Sequence, residues 1–410
     1  MDVKTVTDSN GSVNVFTTNG TQLVGAGLAS TINFSSPGAL TATSLYNSNP
    51  AKSGVGTLTI QLPNGASTDL VASGAISSGR IGADLTLRDT TLVQAETQVD
   101  QLAATVSSAM SDQTTAGTAV TGPPAGFSVD TSHILAGNTI NLTYTDASNT
   151  QHQISIVNVT DPSALPLPTV AGANPQVIGV NMSAGMASVV SQLNTALGVS
   201  GIQFSNPSGT TLNMGGVGAT TLTAASTTTT TQSLTSGSPQ LPLFTDDNSL
   251  YTGAITSNGS QMAGLAARIT VNPALLNNAQ DLTVYSTSPT TAAGDTTRSS
   301  FLYNQLTSAT FNYSPTTGLG SAAQPFNGTV TSYLQQFISQ QSNAATQATA
   351  LQQGQDVVVS TLQQKFNSTA SVNIDTEMSN LIALQNSYAA NAHVMSVVQS
   401  MMNTLLQAQT

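Results

Sequence analysis

The chain has 410 residues, of which only 6% are charged, with a net charge of −11; an ordinary soluble domain carries roughly 25% charge. Its seven basic residues (Lys4, Lys52, Lys365, Arg80, Arg88, Arg268 and Arg298) stand singly, without the clustering that phosphate recognition needs, which argues against nucleic acid and anionic membrane as partners. Cysteine is absent, excluding thiolate zinc sites, disulfides and cysteine nucleophiles together.

This length predicts two or more domains. With 39% apolar residues, 4% aromatics and no tryptophan, the cores must be built from Val, Leu, Ile, Ala and Met. An uncharged surface of Thr, Ser, Asn, Gln and Gly has little like-charge repulsion, and suits a subunit that packs against copies of itself. No run of about 18 apolar residues predicts a membrane span. Met1 leads into polar, strand-like sequence without a secretory signal pattern, so export is expected by another route.

In chain order, 1–79 reads as β structure. Gly11 to Thr18 alternates, Asn19-Gly20 signals a type I′ turn, and Thr21-Gln-Leu-Val24 returns. A second strand, Gly56 to Leu62, runs into the turn Pro63-Asn64-Gly65. The period then lengthens: Leu85, Leu92, Val99 and Val106 recur every seven, with Ala95, Leu102 and Ala109 between. This predicts a helix over 80–113 with one apolar stripe, and Asp84 and Asp89 near its N-terminal end.

Residues 114–240 read as an inserted β-rich outer domain, its body from 123 between Pro123-Pro124 and the run Thr227–Thr231. Strands are expected near 138–145 and 151–159, and a helix from Met186 to Leu197 on the spacing of Val189, Val190, Leu193 and Leu197. Residues 241–324 return to β and turn sequence, with a short helix capped by Asp295 or Thr296.

The last ninety residues read as helical. Val330, Leu334, Phe337, Gln341, Ala344, Ala348, Leu351, Gln355, Val358 and Leu362 follow a heptad within 325–368. Gly354 is its weak point, and a break is expected at Asn367-Ser368-Thr369. The segment 371–410 is a C-terminal amphipathic helix, with Asn373 as N-cap and Asp375 and Glu377 in the first turn. Leu381, Leu384, Tyr388, Asn391, Met395, Val398, Met402 and Leu405 hold a strict 3-4 repeat. Ile382, Ala389, Ala392, Val394, Val397, Met401 and Leu406 widen it beyond a two-stranded seam. The residues expected to carry assembly are Leu381, Leu384, Tyr388, Ala392, Met395, Val398, Met402 and Leu405. The fold class expected is α+β and multidomain: long heptad helices forming a bundle or coiled-coil stalk, plus β-rich domains.

Chemistry is thin. His133, His152 and His393 form no HxxxH pair and read as polar surface or interface residues. Glu96 and Glu377, the two glutamates, read as solvated helix charges. The aspartates fall mostly at turns and caps. Met214-Gly215-Gly216-Val-Gly218 lacks the spacing and basic residue of a phosphate loop. No catalytic residue, metal ligand or cofactor is expected, and the chain is read as a non-enzyme.

The segment Val372 to Met395, with an acidic first turn before Leu381-Ile-Ala-Leu-Gln-Asn-Ser-Tyr-Ala-Ala, resembles the terminal helix of bacterial flagellar axial proteins. Gly82-Ala-Asp-Leu-Thr-Leu-Arg-Asp89, Gln98-Val-Asp-Gln-Leu-Ala103, Arg268-Ile-Thr-Val-Asn-Pro-Ala-Leu-Leu276, Gly294-Asp-Thr-Thr297 and Gly11-Ser-Val-Asn-Val-Phe16 with Gln22-Leu-Val-Gly25 are similar to the hook-associated protein 1 family, the hook–filament junction proteins. The resemblance covers nearly all of the chain outside 123–240. It implies a secreted structural subunit of the extracellular flagellum, partnered by copies of itself, by hook protein, and by other hook-associated proteins or flagellin. It also implies a preceding helical region that pairs with the C-terminal helix. Residue 1 matches a point inside the family's length, so the terminal stripe is expected to lack its own chain's partner and to be disordered, self-associating or folded back on 330–366. The alternatives are a hook or filament subunit, or an adhesin or carbohydrate-binding module carried by 123–240.

Overall fold

The computed structural model describes residues 3–25, 27–62, 65–76, 78–370 and 373–408. They fall into two units, residues 1–339 and residues 340–410.

The first unit opens with β1 (Val3–Thr7), β2 (Val13–Thr17), β3 (Gln22–Gly25) and β4 (Leu28–Ala29), an antiparallel meander. β5 (Thr31–Ser35), β6 (Thr57–Gln61) and β7 (Ser67–Asp69) form a second small sheet. The β2–β3 turn is not type I′. That type needs positive φ at both central residues, and here Gly20 has it at +87° while Asn19 does not. Instead Gly20 N–H donates to the Thr17 carbonyl and Thr17 N–H to that of Thr21. The loop is three residues long, with a register shift at Val15/Phe16, a geometry that needs one left-handed residue rather than two. Of the expected Pro63-Asn64-Gly65 turn, Pro63 and Asn64 lie outside the described residues.

α1 (Gly79–Thr86), a π-helical turn (Leu87–Thr91) and α2 (Leu92–Ser111) follow as one rod. Its first turn holds no acid; Asp89 instead takes both Nε (2.5 Å) and Nη2 (2.9 Å) of Arg88. The expected stripe coincides only in part with the buried face: Leu92 is 56% exposed and Ala109 is buried, while Gln98, Asp100, Ala103, Ala104, Ser107 and Met110, outside the stripe, are buried as well. Burial rises along the rod because other segments of the chain surround its C-terminal half. Small side chains, and polar ones with assigned partners, then fit where branched apolar ones would not.

β8 (Asp112–Ala116) leads out of α2 into two sheets. One has the order β13-β12-β11-β16-β8, the other β14-β15-β10-β9. The strands are β9 (Thr118–Val120), β10 (Gly126–Asp130), β11 (Thr139–Thr145), β12 (Gln151–Asn158), β13 (Gln176–Val180), β14 (Ile202–Ser205), β15 (Thr211–Gly216) and β16 (Thr221–Thr230). α3 (Met186–Leu197) packs with them. Strict alternation along β11 turns Ile140, Leu142 and Tyr144 inward. They meet Ile154 and Ile156 of β12, Val189 and Leu193 of α3, and Phe204 and Leu212 of the second sheet. Each fully buried aliphatic side chain contributes roughly 1.5–3 kcal/mol, enough for this core to need no tryptophan.

The chain returns through β17 (Phe244–Asp246), β18 (Ser249–Leu250), β19 (Ile255–Thr256), β20 (Gly259–Ser260), α4 (Leu265–Arg268), β21 (Ile269–Val271), α5 (Pro273–Asn277), α6 (Thr297–Thr307), β22 (Phe311–Asn312) and β23 (Asn327–Gly328). At α6, Thr296 occupies the cap position without a side-chain bond; Asp295 accepts from Thr297 N–H at 2.7 Å and does the capping chemistry.

α7 (Val330–Ala370) begins in this unit, where Tyr333 is fully buried and stacks on Tyr313 at 4.0 Å. The helix runs unbroken through Gly354 and through Asn367-Ser368-Thr369, where a break was expected. The hydroxyls of Ser368 and Thr369 bond back to the Lys365 carbonyl at 2.8 and 2.9 Å, so these residues stay helical instead of diverting the backbone.

Candidate assembly surface

The joints around α2 are polar and closely specified. Asp100, 4% exposed, accepts from Gly264 N–H at 2.6 Å and Ala266 N–H at 2.8 Å, so one carboxylate caps the turn entering α4. Gln98 Nε2 donates to the Thr317 carbonyl at 2.7 Å, and Tyr333 OH to the Gln98 carbonyl at 2.9 Å. Burial pushes the Tyr333 and Tyr313 hydroxyls up to about 12, so both remain protonated at any physiological pH; that of Tyr333 donates, while that of Tyr313 is buried without a partner among the described residues. Arg268 pairs with Asp246 at 2.6 and 3.2 Å and donates to the Ala263 and Gln261 carbonyls. The Asp246 bond raises the Arg268 pKa further.

Arg298 is 1% exposed and forms no salt bridge among the described residues. Its guanidinium donates to six carbonyls: Pro239, Asp281, Val284, Leu234, Ser238 and Gln240, at 2.6–3.2 Å. The strand return at 234–240 is thereby tied to the 281–284 turn and to α6. In the sequence Gln98 and Asp100 stand out only as part of a longer motif and Arg298 only as one of seven isolated basic residues; the available signal is a polar residue at a helix position whose neighbours are small.

His133 and His152 lie in the first unit and His393 in the second. His152 Nε2 lies 2.9 Å from Asp146 Oδ2, and its ring stacks on Tyr144. That hydrogen bond lowers the Asp146 pKa. No group of three His, Cys, Asp or Glu suited to a metal occurs among the described residues, and no helix among them is long and apolar enough to cross a membrane.

The second unit is helical. Asn373 Oδ1 accepts from Asp375 N–H at 3.0 Å and from Thr376 N–H at 3.4 Å, and Asp375 and Glu377 stand in the first turn of α8 (Ile374–Gln407). Cap and charges both favour this helix start. At about 1.5 Å per residue, α8 is about 50 Å long. None of its residues is buried. Leu381, Leu384, Tyr388, Met395, Val398, Met402 and Leu405 are 49–79% exposed, and Ala392 is exposed with them. On a straight helix the 3-4 repeat drifts across a band about 120° wide. Val394, Val397 and Met401 fall outside that band, so apolar surface covers most of the circumference. A helix of this kind is normally buried.

Over residues 374–407 the tail is thus helical, and within this unit it does not fold back on the described residues of α7. Its helix is continuous, and residues 342–370 of α7 are exposed like those of α8. Cap, first-turn charges and good helix formers sustain the local structure, while no apolar face in this unit is turned toward another. The heptad residues Leu351, Val358 and Leu362 are 49–66% exposed, so no coiled coil forms among the described residues of this unit.

Residues 1–128 match the family model of the flagellar hook-associated protein FlgK helical domain, and residues 363–408 match that of the flagellar basal body rod FlgEFG protein C-terminal region. No curated protein matches the chain. The two matched segments carry the α1–α2 rod and the apolar terminal helix, and together they support a FlgK-like flagellar hook-associated protein with a structural role at the hook–filament junction.

Proposed function

We propose that α8 is the element through which this junction subunit joins its neighbours, with Leu381, Leu384, Tyr388, Ala392, Met395, Val398, Met402 and Leu405 forming the contact. The partners are copies of itself, hook protein, and other hook-associated proteins or flagellin. The observation that carries the reading is a 34-residue helix, capped and continuous, whose large apolar side chains are all exposed. Burying them at roughly 25 cal/mol per Å² favours association strongly. A circumference apolar on most sides is consistent with more than one neighbour per helix, which is the arrangement inside a tube of subunits. The heptads of α7 are proposed to pair in the same assembled state.

The inserted domain, 114–240 with its body from 123, is proposed as the outer face of the assembly, outside the cell. Its Thr- and Asn-rich sequence, with Asp130, Asp146 and Asp161 as its charged residues, supports this placement.

The test uses the full-length protein in a strain lacking its own copy. Deleting 371–410, or combining Leu384→Asp with Met395→Asp, abolishes filament growth and swimming. The purified double variant keeps its melting temperature, because both side chains are already in water. Normal filaments from either variant sink the proposal. Labelled protein should form a band at the hook tip; staining along a whole segment refutes the junction placement.

A further inference from the structure

A cleft of about 590 Å³ opens where α2 and α6 meet the root of the two-sheet region. Asp112, Gln240, Met262, Tyr251, Phe301 and Phe311 are among the residues that line it, and none of its lining residues is Lys, Arg or His. Three features of its wall are unbalanced.

The first is charge. Asp112 accepts from the hydroxyls of Thr230 at 2.7 Å and Ser111 at 3.2 Å, and among the described residues no cation pairs with it. Burial pushes its carboxyl up to about 6, against the pull of those hydroxyls, as expected of a desolvated acid with no positive partner. The second is hydrogen bonding: Gln240 Oε1 is buried and has no donor. An acceptor left in that state costs about 1–3 kcal/mol. The third is the apolar part, three aromatic rings and a methionine, a lining that covers alkyl groups and, through the ring faces, attracts cations.

A neutral polyol supplies donors but leaves the carboxylate uncompensated, and an anion is repelled by it and by the net charge of −11. Positive charge, N–H donors and a short alkyl body together meet all three requirements. We propose that this cleft binds a small primary alkylammonium, whose N–H groups engage the Asp112 carboxylate and Gln240 Oε1 while its chain lies among Tyr251, Phe301 and Phe311. The site is independent of the assembly role of α8.

The experiment is calorimetric titration of the intact chain at pH 8 with n-butylammonium chloride, and with n-butanol as the uncharged isostere. The expected result is saturable binding of the amine, with butanol at least ten-fold weaker. Asp112→Asn lowers the amine's affinity at least ten-fold. Gln240→Met lowers it at least three-fold without lowering the melting temperature, since it removes an acceptor that has no partner; if Asp112→Asn fails to fold, this variant decides. Moving from pH 8 to pH 5 weakens binding about ten-fold as Asp112 takes up a proton. Free amine and the lysine of a second copy share this chemistry. Saturating n-butylammonium reduces self-association in sedimentation only if the source is a lysine. Absence of saturable heat, equal affinity for butanol, or unchanged affinity in the variants overturns the proposal.

Discussion

Removing the Arg298 guanidinium tests how the return from the two-sheet region is held. Five N–H groups serve six carbonyls in a space 1% accessible to solvent. Hydrogen bonds from a charged donor contribute about 1.5–3 kcal/mol each, but the sum is an upper bound, because taking the cation out of water costs several kcal/mol. That desolvation also lowers the Arg298 pKa. Arg298→Met ends the desolvation cost and leaves carbonyls of 234–240 and 281–284 unpaired, for a net loss of about 3–5 kcal/mol. For a unit of 339 residues the melting temperature should fall by roughly 4–7 °C. Arg298→Lys, a point charge with three donors, should recover only part of it. The assay is calorimetric unfolding of both variants beside the parent. A loss below about 1 kcal/mol for Arg298→Met refutes the cage as a stabilising element.

Two further outcomes follow from buried carboxylates. Asp112 has its native pKa raised from 3.8 to about 6, so the native state holds its proton more tightly than the unfolded state. Its contribution to stability is therefore fully present below about pH 4, declines between about pH 4 and 6, and is absent above. Discounted for its partial exposure, this amounts to about 1–2 kcal/mol. Asp112→Asn should flatten that segment of the stability–pH curve in urea titrations, and an unchanged slope contradicts the assignment. Asp100→Ala should cost about 2–3 kcal/mol by leaving the Gly264 and Ala266 N–H groups without their acceptor, read as a lower urea midpoint. A midpoint unchanged within error shows that the cap is dispensable.

Local periodicity made several elements readable in advance. Val189, Val190, Leu193 and Leu197 marked a helix that spans Met186–Leu197, with three of the four buried. Asn373 followed by Asp375 and Glu377 marked the start of α8. Both depend on side chains within one or two turns of each other. The heptad of α7 and the seven-residue stripe of α1–α2 did not by themselves mark which residues this chain buries. Tyr333, outside the heptad, is the buried residue of α7, and Gln98 and Asp100 are more buried than Val99. Periodicity marks which residues share a face, and says nothing of which face the rest of the chain will cover.

What the sequence determined by itself was therefore local and compositional. It set the helix and strand periods, a surface too poor in cations for phosphate, and a terminal helix too apolar for water. Only the tertiary structure decided the rest. It brought Arg298 to four carbonyls more than fifty residues away in sequence, closed Asp100 over α4, and set Asp112 and Gln240 in one cleft. The physical reason is range. Propensity, capping and hydrophobic period act over a few residues, whereas the desolvation of a buried charge depends on every segment packed around it.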